Sequence, residues 1–211
     1  MAMFTDRAAA GRELAAELAR WKGTDAVVFG IPRGGVVVAA EIARALALPL
    51  DVAIVRKLGA PSRAEYAIGA IADGVRIVDD AAVRAQGVTA EQLASVEDLE
   101  RTELARRVRA FPRTAGGIAG RTALVVDDGI ATGATAAAAC AALRAEGAQR
   151  VVLAVPVAPE RWEPDPAVVD DYICPHRVRD FWAVGQFYDD FTQTPDEEVV
   201  RLLADTPFTG P

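Results

Sequence analysis

Lysine is nearly missing from this chain: of 23 basic residues, only Lys22 and Lys57 are lysines. Arginine has been taken almost everywhere else, which singles out the compact ammonium of Lys57 at the end of an apolar run as a candidate for gripping and releasing an anion. Cysteine is scarce as well, two residues in 211, and their spacing offers neither a disulfide framework nor a metal site. Cys140 and Cys174 read as buried, reduced thiols. The single histidine, His176, reads as a hydrogen-bonded surface residue rather than a catalyst. No apolar run reaches membrane-spanning length, and the first residues lack the basic start and apolar core of a signal peptide. A cytoplasmic protein with no membrane partner is therefore expected. The formal charge of −7 argues against a nucleic-acid binder, which would show a basic face, so no DNA partner is expected.

What is present suits one globular domain over residues 1–211, since 22.2 kDa at 52% hydrophobic composition can bury a full core. Apolar runs alternate with helical patterns. Strands near 26–29, 51–56, 123–126 and 150–155 are expected to form a parallel core joined by helical crossovers, which is an α/β fold. Asp6 can cap a first helix whose Ala10, Leu14, Leu18 and Trp21 share one face. Ala67 to Val78 reads as a hairpin turning at Asp73-Gly74. Thr89 to about Arg109 reads as a helix with a Thr89/Gln92 capping box, and its cluster of acids and arginines as a solvated face with internal ion pairs.

The stretch Ala123-Leu-Val-Val-Asp-Asp-Gly-Ile-Ala-Thr-Gly-Ala-Thr135 carries most of the chemistry. An apolar strand buried on both faces ends in two carboxylates, followed by a glycine- and threonine-containing loop and an alanine-rich helix. Ligands of parallel sheets sit beyond the carboxyl ends of the strands, where Asp127 and Asp128 fall. The free N–H groups of the next helix, with its dipole behind them, suit a phosphate. Gly133 lets that phosphate approach the backbone, and the hydroxyls of Thr132 and Thr135 can donate to it. The two aspartates would repel the same phosphate, so they must face hydroxyls or a metal ion. A phosphate with a diol a few ångströms away describes a ribose 5-phosphate. A Walker A loop needs Gly-Lys-Ser/Thr, whereas Gly133 is followed by Ala134.

These residues resemble the phosphoribosyl-diphosphate (PRPP) motif of type I phosphoribosyltransferases. The resemblance implies a parallel sheet flanked by helices, with a core at about 22–175, a helical insertion at about 79–118 and a small C-terminal hood at about 176–195. Asp127 and Asp128 would hold the ribose diol and Mg²⁺, the latter directly or through water. Gly129, Ile130, Ala131, Thr132, Gly133, Ala134 and Thr135 would hold the 5-phosphate. Gly30-Ile-Pro-Arg-Gly-Gly35 is similar to the family's pyrophosphate loop, which wraps its ligand with main-chain amides, often across an unusual peptide bond; Arg33, Gly34 and Gly35 would bind there. Arg56-Lys57-Leu-Gly is similar to the start of the mobile catalytic loop of adenine-type members, here Leu58 to Tyr66. Arg56 and Lys57 would thus meet pyrophosphate, and Lys57, Arg33, Asp127 and Asp128 would carry catalysis.

Arg179 to Phe191 looks like the hood strand of hypoxanthine/guanine-type members. By that alignment Trp182 stacks on the acceptor, Val184-Gly185 follows, and Asp189 supplies an acid. One departure stands out. Those members carry an aspartate two residues before the loop glycine, where this chain has Ala131, as adenine-type members do. The resemblance thus implies Mg²⁺-dependent transfer of phosphoribose from PRPP to an unidentified nitrogenous base or related nucleophile, by a homo-oligomer, expected to be a dimer. The alternative is a PRPP-binding regulator with little or no catalysis.

Overall fold

A computed structural model describes residues 2–205 apart from Asp73. Its centre is a five-stranded, wholly parallel sheet of β1 (Val27–Gly30), β2 (Leu50–Val52), β6 (Thr122–Val126), β7 (Arg150–Ala154) and β9 (Asp171–Ile173), in the order β2-β1-β6-β7-β9. Between β6 and β1 the register is Val126 beside Gly30. The strands are apolar throughout because both faces are covered. Val28, Leu124, Val126 and Val152 pack into one core with helix α2 (Gly34–Leu46) and helix α1 (Arg7–Glu17). Val27, Phe29, Val125 and Leu153 pack into the other with helix α5 (Ala134–Ala145). Each fully buried side chain of this kind contributes roughly 1.5–3 kcal/mol over leaving it in water. No helix among the described residues is long and apolar enough to cross a membrane.

This strand order decides where a ligand can sit. The chain leaves β1 toward one edge through α2, and leaves β6 toward the other through α5, on the opposite face. The loops after β1 and β6 therefore part from neighbouring strand ends, opening a crevice at the switch in direction. Both loops singled out in the sequence start there.

The first helix forms as expected: the Asp6 carboxylate accepts from Ala9 N at 2.7 Å, and Ala10, Leu14, Leu18 and Trp21 are buried. The helix ends at Glu17, and Trp21 lies in a following 3-10 turn. Residues 51–56 do not make one strand. Ala53 N still donates to Gly30 O, but the chain then leaves the parallel sheet. β3 (Val55–Ala60) begins an antiparallel sheet with β4 (Arg63–Ala72) and β5 (Val75–Val78). The β4–β5 pair is the expected hairpin, although Asp73 of its turn lies outside the described residues. The segment read as a mobile loop, Leu58 to Tyr66, is the β3–β4 end of this sheet.

The 79–118 region holds α3 (Asp80–Ala85) and α4 (Ala90–Ala110), the latter with its Thr89/Gln92 capping box intact. Its charged face is not all solvated. The buried Glu97 accepts from Arg76 Nε at 2.9 Å, and this hydrogen bond holds its carboxyl below the usual range. Glu100 accepts from Arg56 Nε at 2.6 Å. Those two bonds fasten α4 to the antiparallel sheet.

The hood departs from expectation. Val184–Phe187 forms a 3-10 turn, not a strand. The Gln186 amide explains why: its oxygen accepts from Trp182 N and Ala183 N, while its nitrogen donates to Asp180 O. The nearby strands are short, with β8 (Val157–Pro159) parallel to β10 (His176–Val178). α6 (Asp196–Ala204) then packs back beside α2 through Val199 and Leu203.

Candidate active site

β6 delivers Asp127 and Asp128 to the crevice, and α5 starts at Ala134 with Gly133 as its cap. Gly133 has φ +78°, and a Cβ there would collide with the Trp162 ring. Trp162 lies across the loop, with its Nε1 donating to Thr132 O at 3.1 Å. Val157 O accepts from Ile130 N at 3.0 Å, pinning the loop's other end to β8. Thr132 is exposed and Thr135 half-buried, so the threonines stand at the rim of a hollow of about 180 Å³ lined by residues 129–136, Asp127 and Val184. The first amides of α5 have no partners within their own helix by construction. Substituting Gly133 with alanine is expected to cost roughly 1–2 kcal/mol for the left-handed backbone alone and to displace Trp162. Unchanged melting temperature and unchanged tryptophan emission would contradict this packing.

The loop after β1 closes on the same point. Ile31 N donates to Val126 O at 2.9 Å, the Pro32–Arg33 peptide is cis, and Arg33 precedes the first turn of α2. Gly34 and Gly35 are there because nothing larger fits. A Cβ on Gly34 would run into Asp128 Oδ2, and one on Gly35 would lie 2.7 Å from Val126 O. The start of α2 is thereby packed against the acidic pair. Arg33 also reaches Asp196 of α6, at 3.5 Å.

Arg56 and Lys57 on β3 face this loop across a cleft of about 460 Å³ that Pro32, Pro61, Thr135 and Glu100 also line. Residues far apart in sequence, which the resemblance links to pyrophosphate, ribose and 5-phosphate, thus surround one end of the sheet. Those expected at an acceptor are less uniform. Val184 packs on Gly129, its Cγ1 2.6 Å from where a Cβ would stand. Trp182 is 89% exposed, and Asp189 is exposed with its N bonded to Phe4 O. Phe181, Phe187 and Tyr188 are packed against one another and Phe4 instead. His176 bonds Glu13 at 2.6 Å. Burial pushes the Cys140 thiol up to about 12, and the half-buried Cys174 donates to His176 O.

Three contacts around the candidate site escaped the sequence. Arg7 Nε donates to Asp128 Oδ2 at 2.7 Å, the Tyr188 hydroxyl donates to the Asp128 carbonyl at 2.6 Å, and Trp162 covers the loop at 129–135. They lie 121, 60 and 30 residues from their partners, and no local pattern announces such pairs. The signal that existed was indirect, in the glycines at 34 and 133.

Burial, and then the neighbouring Asp128, push the Asp127 carboxyl well above the usual range. Burial also raises Asp128, against the opposing pull of Arg7. A raised carboxyl favours the neutral form, so its contribution to stability is present at low pH and lost as pH rises through the folded-state value. Asp127→Asn should therefore melt a few degrees above the ligand-free wild type at pH 8, with the gap closing toward pH 4. A gap that is constant with pH, or reversed, would contradict it. Among the described residues no third acid, histidine or cysteine joins the pair in a metal-holding group. Two carboxylates alone do not make a calcium or zinc cage, but they fit Mg²⁺, which takes one or two carboxylates together with substrate oxygens.

A family model described as the phosphoribosyl transferase domain matches residues 3–192. Two Mycobacterium tuberculosis proteins, from strains CDC 1551 and H37Rv and provisionally named phosphoribosyl transferases, are each 50% identical over 207 residues. The match covers 96% of this chain and 47% of theirs, so the chain spans about half the length of these curated relatives. The crystal structure of TT1426 from Thermus thermophilus is 39% identical, with a TM-score of 0.78, covering 97% of this chain and 99% of that one. A purine phosphoribosyltransferase from Pyrococcus horikoshii shares the fold at 18% identity and a TM-score of 0.50, covering 88% of this chain and 89% of its own.

Proposed function

The chain belongs to the phosphoribosyl transferase family, and on that premise we propose that it moves the 5-phosphoribosyl group from PRPP to a nitrogenous base or related nucleophile, releasing pyrophosphate. The observation that carries this reading is the convergence of the two loops. Gly34 lies against Asp128 so closely that a methyl group would not fit, and the phosphate loop leaves directly from the same pair of acids. A ligand with phosphate, diol and pyrophosphate in that order matches the order of the groups around the crevice.

The amides of residues 129–135 and the hydroxyls of Thr132 and Thr135 hold the 5-phosphate, anchoring the sugar so that attack at C1′ is in line. Asp127 and Asp128 accept from the ribose hydroxyls and stabilise positive charge developing on the ring. They are also the residues that would hold Mg²⁺, which when bound supplies charge to neutralise the leaving pyrophosphate. Arg33, Lys57, Arg56 and the amides of Gly34 and Gly35 meet the pyrophosphate oxygens as negative charge grows on them. The β3–β4 end of the antiparallel sheet, over the same cleft, shields the reacting carbon from water. The acceptor approaches from the Val184 side, with Trp182 and Asp189 as the assigned contacts. Ala131 has no side chain to take a proton, so the acceptor's own acidity must suffice or another group must serve.

Pyrophosphate release from Mg-PRPP, measured against purines, pyrimidines, nicotinate-like acids and ammonia, tests this directly. Turnover with one acceptor class is expected. Tight Mg-PRPP binding without release for any acceptor would identify a PRPP sensor instead.

A further inference from the structure

Arg7 lies outside every motif that resembles the family, yet it reaches the middle of the site. Its Nε holds Asp128 Oδ2 at 2.7 Å, and the two side chains are only 11% and 15% exposed. A terminal guanidinium nitrogen of Arg7 donates to Thr192 O at 2.8 Å, and the guanidinium carbon lies 3.9 Å from the centre of the Phe191 ring. The segment before it is fastened to the hood by main-chain bonds: Phe4 N to Phe187 O, Asp189 N to Phe4 O and Asp190 N to Thr5 O. Asp6 caps α1, which fixes Arg7 at that helix's first position. Exposed ion pairs contribute little and wander. This one is held on both sides and confined by Gly34, whose missing Cβ would stand 2.6 Å from Arg7 Nε.

We propose that Arg7 is a positioning residue for ribose binding: it occupies Asp128 Oδ2, so that this carboxylate meets the sugar through its other oxygen, and it couples that orientation to the hood through Phe191 and Thr192. The guanidinium fork suits this task, since it fixes direction as well as charge. Asp127 is held differently, its Oδ1 accepting from the adjacent main-chain N of Asp128 at 2.9 Å. The second acid is thereby set from a distant helix, while the first is set by its own strand. The inference rests on the PRPP reading above and adds to it a residue supplied from the N-terminal helix.

Calorimetric binding of three probes to wild type, Arg7→Gln and Arg7→Lys tests it. Arg7→Gln is expected to weaken ribose 5-phosphate and Mg-PRPP by about 10–100-fold, the scale of a hydrogen bond to a charged group. Inorganic phosphate, the third probe, should stay within about twofold of wild type, because residues 129–135, the groups proposed to hold it, do not touch Arg7. Arg7→Lys should recover part of the loss, and adding Asp128→Asn to Arg7→Gln should cost far less than Asp128→Asn alone. Equal weakening of all three probes, or of none, overturns the proposal, and Arg7→Lys gives the same test if Arg7→Gln does not fold. A wild type that fails to bind Mg-PRPP defeats the functional reading itself. Wild-type binding that Arg7→Gln leaves intact defeats only this inference.

Discussion

Replacing Lys57 with alanine is expected to lower turnover by roughly 10²–10³-fold, while Mg-PRPP affinity changes by less than about tenfold. The asymmetry follows from where charge develops. On the proposed reading, the pyrophosphate of PRPP already meets main-chain amides at Gly34 and Gly35 and the Arg33 guanidinium in the ground state. As the bond to C1′ breaks, additional negative charge appears on the departing oxygens, and a point-charge ammonium across the cleft gains most at that moment. Neighbouring Arg56 cannot simply substitute, because its Nε is engaged with Glu100. Single-turnover kinetics alongside equilibrium binding separates the two effects. Equal losses in both would make Lys57 a ground-state binding residue, and no loss in either would remove it from the mechanism.

Asp128→Asn is expected to act the other way round, weakening Mg-PRPP binding by about 10–100-fold. The substitution keeps the shape and one acceptor oxygen but removes the charge that would strengthen the proposed hydrogen bonds from the ribose hydroxyls. It also leaves Arg7 facing a neutral amide. Inorganic phosphate binding at residues 129–135 should be spared, since the groups proposed there are amides and hydroxyls. Titrating both ligands into wild type and variant checks this; a variant that binds Mg-PRPP as wild type does would take the acid off the sugar.

Much of the scaffold was legible because its signals are local. The strands at β1, β6 and β7 are apolar runs, the α4 capping box lies within four residues, and the Asp-Asp-Gly loop is contiguous. The split between β2 and β3 was not legible. Ala53 and Ile54 are as apolar as their neighbours and are buried outside any strand, so composition does not mark where the chain changes sheets. β9 was missed because three half-buried residues carry too little periodicity to read. The hood strand, expected from the resemblance alone, is absent for a physical reason: one glutamine side chain closes a turn among the aromatics. The candidate site was half legible in the same sense. The loops that meet at it stand in contiguous motifs, whereas Arg7, Tyr188 and Trp162 reach those loops from a distance. Arg7 and Trp162 leave a trace only in the glycines they crowd.

The proposed function depends on the carboxyl end of β6 holding a phosphorylated pentose. A crystal structure of the protein with Mg-PRPP is the shortest route to it. The 5-phosphate is expected against the amides of residues 129–135, the ribose diol on Asp127 and Asp128, and the pyrophosphate at Arg33 to Gly35. Density for the ligand at another place, with this end of the sheet left to solvent, would contradict it.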